Sequence, residues 1–146
     1  MENQTNLDAK KVATDDSKEA KKQRKQFIED FYRLWESINP SKKVFNKSLN
    51  DFINVRYISV RETAGHASLK YMSTLAVMFL SEILESAVQK GKPKNANPTS
   101  KNQKGFEKMI LMEYHKEEFG TIKLTVGVKR GTKEKVQYCV TAIKNG

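Results

Sequence analysis

Two histidines, His66 and His115, are the side chains in this 146-residue chain whose ordinary chemistry changes charge near neutrality, and each stands among cations. Gly65 precedes His66, and the pattern places the imidazole at the mouth of a helix, where it can serve as general base or acid. Lys70 follows one turn later on the same expected face, so both can reach one phosphate. Arg56 and Arg61, on or just after a short strand, offer the bidentate fork that suits phosphate, where Lys offers a point charge. The run Tyr114-His115-Lys116 closes a later strand beside Glu117 and Glu118, making His115 the candidate second proton carrier. Lys123, Lys129 and Arg130 are expected on a cationic sheet face, with Lys133 and Lys135 nearby and Thr121 and Thr125 between them. Lys92, Lys94, Lys101 and Lys104 populate a loop free of acidic residues. Each group also has a plain structural reading, as a capping or packed histidine or a solvated cation, and both readings stay open here.

Other chemistries lack their usual signatures. The sequence has no glycine-rich phosphate loop, no paired metal ligands and no serine-hydrolase elbow, so neither a metal nor a cofactor is expected. A single cysteine, Cys139, excludes an intrachain disulfide framework and a zinc ribbon, and suits a reducing compartment. With 27 Lys and Arg against 17 Asp and Glu, the formal charge of +10 points to an anionic partner, nucleic acid first. The longest apolar stretch, Leu75 to Leu84, is interrupted by Ser81 and Glu82 and falls short of the ~20 residues a membrane helix needs. No membrane association is expected. The first 26 residues lack the apolar centre of a secretory signal, so the expected location is cytoplasmic.

The elements that must position these groups follow from periodicity. Residues 1–25 carry no aromatic side chain and alternate in charge, so a flexible segment or a solvated helix extension is expected, followed by a single domain over 26–146. Phe27, Ile28, Phe31, Leu34, Trp35 and Ile38 recur at helical spacing, and the helix stops at Asn39-Pro40. Phe27, Phe31, Trp35 and Phe79 are assigned to the core rather than to base stacking. Asn54 to Val60 alternates and predicts a short strand. A helix from about Ala67 to Gln89 follows, broken near Ser81 by a new N-cap. The basic loop spans 91–105. Phe106 to His115, Thr121 to Lys129 and Lys135 to Ile143 then predict three strands, with Val136, Tyr138, Val140 and Ala142 on one side of the last. The expected fold is α+β, with N-terminal helices packed on one face of a C-terminal antiparallel meander.

Tyr57-Ile-Ser-Val-Arg-Glu-Thr-Ala-Gly-His66-Ala67, the helix Leu75-Ala-Val-Met-Phe-Leu-Ser-Glu-Ile-Leu-Glu-Ser-Ala87, and the later Met112-Glu-Tyr-His115, Thr121-Ile-Lys-Leu-Thr-Val126 and Tyr138 form a pattern. It resembles the third type of large polyvalent protein-associated domain, found in phage and conjugative-element proteins, and its relatives of the barnase, EndoU, colicin and RelE nuclease group. The resemblance covers roughly Val55 to Ile143. It implies helices on an antiparallel sheet, a setting in mobile DNA and host conflict, and metal-independent RNA cleavage by attack of a ribose 2′-hydroxyl on the adjacent phosphate. His66 would be the base or acid, Lys70 and Arg61 would stabilise phosphate charge, and His115 would be the second proton carrier. The expected function is therefore a nucleic-acid-binding domain of nuclease-like fold, with RNA favoured over DNA as partner. The alternative is a non-catalytic module that docks a protein partner. The sequence leaves the oligomeric state undetermined.

Overall fold

The computed structural model describes residues 8–143. Four helices precede the long strands: α1 Lys18–Ile38, α2 Tyr57–Ala67, α3 Tyr71–Val77 and α4 Leu80–Ser86. The strands are β1 Lys43–Asn46, β2 Asp51–Asn54, β3 Val88–Gln89, β4 Lys94–Asn95, β5 Phe106–Lys116, β6 Gly120–Lys129 and β7 Lys135–Ile143. Their order in the sheet is β1-β2-β7-β6-β5-β3, with β4 also on β5, and every pairing is antiparallel except β2 with β7. The architecture is α+β, helices first and meander last, as expected.

Helix α1 starts where Ser17 Oγ accepts the Ala20 N–H at 3.0 Å, and ends where Asn39 caps Trp35 before Pro40. The expected boundary at residue 25 therefore lies inside this helix. Ala9–Lys11 form a 3-10 turn, and Val12, Ala20 and Arg24 are buried. Residues 1–7 of that expected segment lie outside the described residues. Arg24 holds the chain before α1 against the end of α2: its guanidinium donates to the carbonyls of Ala13, Asp15 and Ser68 at 2.7 to 2.8 Å.

One face of the sheet is closed by helices. Ile28, Phe31 and Trp35 of α1, Ala76 and Val77 of α3, and Leu80, Ile83 and Leu84 of α4 meet Ile110, Met112, Ile122, Leu124, Val126 and Val140 in one apolar core. The core assignment of Phe27, Phe31, Trp35 and Phe79 holds, with Phe79 partly buried. The hairpin β1–β2 is pinned by Asn46, whose buried amide donates to the Leu84 and Ala87 carbonyls at the end of α4.

Three local expectations are corrected. The segment expected as a strand over Asn54 to Val60 is the end of β2 and the first turn of α2. Helix wins because Ser59 and Thr63, one turn apart, bond the edge of β7 that β2 leaves uncovered after the single pair Asn54 and Val136. Ser59 Oγ donates to the Gln137 carbonyl, Thr63 Oγ1 accepts the Val140 N–H, and Ser73 Oγ of α3 accepts the Ala142 N–H. Helical hydroxyls thus replace a neighbouring strand, which satisfies backbone groups that would otherwise be buried without partners. The expected long helix from Ala67 to Gln89 is two short helices followed by β3, because the N-cap of α4 is Phe79 and Ser81 instead accepts a hydrogen bond from the Trp35 indole at 2.9 Å. The expected alternation of β7 breaks at a register shift, where Val126 faces Gln137 and Thr125 faces Cys139, so Gln137 rather than Tyr138 points among the helices.

Candidate functional site

The other face of β5, β6 and β7 carries no helix across it, and α2 stands along its β7 border. Once α2 is helical, Ile58, Glu62 and His66 fall four residues apart on one side of it. Ile58 packs with Phe106, Val136 and Tyr138 in a small second core beneath the 96–105 loop. Phe106 lies so close over β6 that a Cβ at Gly127 would stand 2.6 Å from its ring. The Phe106 and Tyr138 rings meet edge to face at 6.0 Å, which fixes Tyr138 beside α2.

Glu62 sits at the centre of the polar groups on this face. Its carboxylate is 3.4 Å from His66 Nε2, with the carboxylate side chain 8% exposed and the imidazole 60% exposed. Tyr138 is raised above the ordinary phenol range by burial and by the negative charge of Glu62, while a hydrogen bond with Gln103 opposes the shift. Cys139 donates weakly to the Glu62 carbonyl at 3.7 Å. Burial and the Glu62 charge push its thiol up to about 12, with Lys123 acting in the other direction. It is a protonated thiol, not a nucleophile. Lys123 is exposed on β6. Arg61, next to Glu62 in the chain, reaches Asn102 Oδ1 of the loop at 2.5 Å. A buried carboxylate, a half-exposed imidazole and a phenol therefore meet along the β7 border of the open face, with Lys123 acting on Cys139 from β6 and Arg61 turned toward the loop.

The expected site residues divide around this cluster. His66 contacts Glu62 directly, Lys123 acts on Cys139 from β6, and Arg61 borders the cluster at the loop. Lys104, Lys129 and Arg130 gather at the adjoining end of the sheet, where Arg130 Nε donates to the Lys104 carbonyl at 3.0 Å. Lys92, Lys94 and Lys101 are exposed along the loop and β4. Arg56 is the N-cap of α2 and is ion-paired with Glu134. His66 lies in the last turn of α2 rather than at a helix mouth, and Gly65 lies inside that helix. Lys70 does not share its helix face: α2 ends at Ala67, and Lys70 caps α3 in an extended conformation. His115 is exposed on β5 and paired with Thr121, whose own partner on β7 is Ile143. Because Tyr114 packs inward, His115 lies on the open face, two strand spacings of about 4.8 Å each from β7.

Sequence reasoning missed Glu62, Tyr138, Asn102 and Gln103. The signal for Glu62 was its four-residue spacing to His66, which the strand reading of the preceding segment concealed. Among the described residues no three His, Cys, Asp or Glu side chains are arranged to hold a metal ion, and no helix is long and apolar enough to cross a membrane. No family model, curated protein or solved structure matches this chain.

Proposed function

We propose that this chain is a nucleic-acid-binding domain of nuclease-like architecture that takes RNA on the open face of β5–β7 and cleaves it without a metal. The setting is the phage and mobile-element context that the resemblance of Val55 to Ile143 implies, and the lone Cys139 fits a cytoplasmic one. The observation that carries the reading is the Glu62 carboxylate 3.4 Å from His66 Nε2 and acting on Tyr138 and Cys139 at the β7 border of the uncovered face, with Lys123 acting on Cys139 from β6 and Arg61 bonded to the loop.

In this reading His66 accepts the 2′-hydroxyl proton as the 2′ oxygen attacks phosphorus, and Glu62 orients the imidazole and stabilises its cation. Lys123 and Arg61 balance the charge of the pentavalent phosphorus. The bond from phosphorus to the 5′ oxygen breaks, and His115 supplies the proton to that oxygen. The products are a 2′,3′-cyclic phosphate and a 5′-hydroxyl. The test is incubation of labelled single-stranded RNA with the whole chain. The account expects cyclic phosphate ends that vanish in His66→Ala while thermal stability and binding are kept, and an affinity that falls steeply with salt. Binding that ignores salt, with no cleavage by the parent protein, contradicts it.

One observation favours the protein-docking alternative. The β1–β2 hairpin exposes Phe45 and Phe52, edge to face at 5.4 Å, with the Lys43 ammonium 4.6 Å over the Phe52 ring. Under that alternative Phe52→Ser abolishes capture of a partner, and His66→Ala does not.

A further inference from the structure

A cleft of about 360 Å³ lies between α1 and α2, outside the open sheet face. Glu29, Arg33 and Glu36 line it at helical spacing on α1, and Tyr57, Val60 and Arg61 do so on α2. The buried Tyr32 forms its floor, held by Gln137 and Thr63. Tyr57 is 75% exposed, an unusual position for an aromatic ring, and the Arg61 guanidinium lies 5.9 Å from its centroid. Neither Glu29 nor Glu36 makes an ion pair or hydrogen bond among the described residues. The cleft therefore offers an exposed ring with Arg61 over one face and the other open, a second guanidinium, Arg33, paired with Asp30 at 2.8 Å, and two acceptors free of hydrogen bonds, within a volume suited to a small planar ligand.

We propose that this cleft is a nucleobase subsite for an RNA nucleotide neighbouring the one held on the sheet face, and that it favours bases bearing an exocyclic amino group. The proposal rests on the RNA-binding reading above. Arg61 connects the two places, since it lines the cleft and also bonds Asn102 beside the sheet face. The base stacks on Tyr57, as unpaired RNA bases do on aromatic side chains, while Arg61 and Arg33 meet its phosphate. Glu29 and Glu36 can only accept hydrogen bonds when ionised. An amino group presents two donors to them. The single ring N–H of uracil is flanked by two carbonyls that repel a carboxylate.

The test compares fluorescein-labelled octaadenylate and octauridylate binding to the full chain at fixed low salt. The wild type binds octaadenylate more tightly. Tyr57→Ala weakens that binding about tenfold, within the range of one lost stack, and Tyr57→Phe restores it. The double variant Glu29→Gln with Glu36→Gln binds both strands more tightly and loses the preference for adenine. Lys123→Ala separates the two readings. If it weakens binding while Tyr57→Ala does not, the sheet face stands and the cleft proposal is overturned. If Tyr57→Ala weakens binding and Lys123→Ala does not, the cleft is supported and the sheet-face reading fails. Absence of binding to either strand by the wild type overturns both.

Discussion

Glu62 stands beside three groups of different chemistry, His66, Tyr138 and Cys139. Its carboxylate lies 3.4 Å from His66 Nε2, and its charge raises both Tyr138 and Cys139. Glu62→Gln removes the charge and keeps the shape, so Tyr138 shifts down toward the ordinary phenol range yet stays above it, because burial is the larger cause. Ultraviolet titration of the phenols reads this directly; an unmoved Tyr138 would detach Glu62 from the ring. A second phenol contributes to alkaline stability, beside Tyr32 and Cys139, which burial also raises. Tyr114 is pushed up to about 12, first by its hydrogen bond to Glu82. The folded chain thus keeps a proton that the unfolded chain releases near pH 10, so the stabilisation is whole below about pH 10 and is lost as pH rises through about 12. Tyr114→Phe therefore makes the alkaline fall in Tm shallower in that interval, as thermal melts across the range will read. Glu82 is lowered by the same hydrogen bond, then by Lys116, so its contribution is lost in acid.

Helix α2 decides both the fold and the site. Its hydroxyls close the β7 edge, and Thr63 is the busiest of them, serving Tyr32, Gln137 and the Val140 N–H. Thr63→Val leaves buried groups unpaired and costs about 1–3 kcal/mol in a denaturant melt; a smaller loss would mean that the edge is satisfied otherwise. Gly65 is a helix-interior glycine with open space where a Cβ would stand, so Gly65→Ala stabilises by about 0.5–1 kcal/mol. The same helix marks the limit of what the sequence discloses. The long strands β5, β6 and β7 were legible because alternating apolar residues report a sheet with one buried face. Helix α2 was not, because its buried side is polar: Ser59, Glu62 and Thr63 bury against β7 through hydrogen bonds that hydropathy does not register. Arg24 was hidden for a related reason, as its burial depends on carbonyls 9, 11 and 44 residues away.

At the scale of the whole molecule, the sheet has a face sealed by apolar packing and a face bordered by α2, the 96–105 loop and a basic end. In the proposed function, that asymmetry gives a chain of formal charge +10 one surface on which to take a polyanion. Of the expected site, His66, Arg61 and Lys123 were legible by residue type, whereas the placing of His66 beside Glu62 and of Tyr138 beside α2 depends on α2 being helical and on the β7 register shift. The most direct measurement is a residue-resolved NMR titration of the whole labelled chain with a short single-stranded RNA. The account predicts amide shifts concentrated at Glu62, His66, Lys123, Tyr138 and Asn102, fading as salt is raised. Shifts confined to the Phe45 and Phe52 hairpin or to the outer side of α1, with those five positions silent, would contradict it.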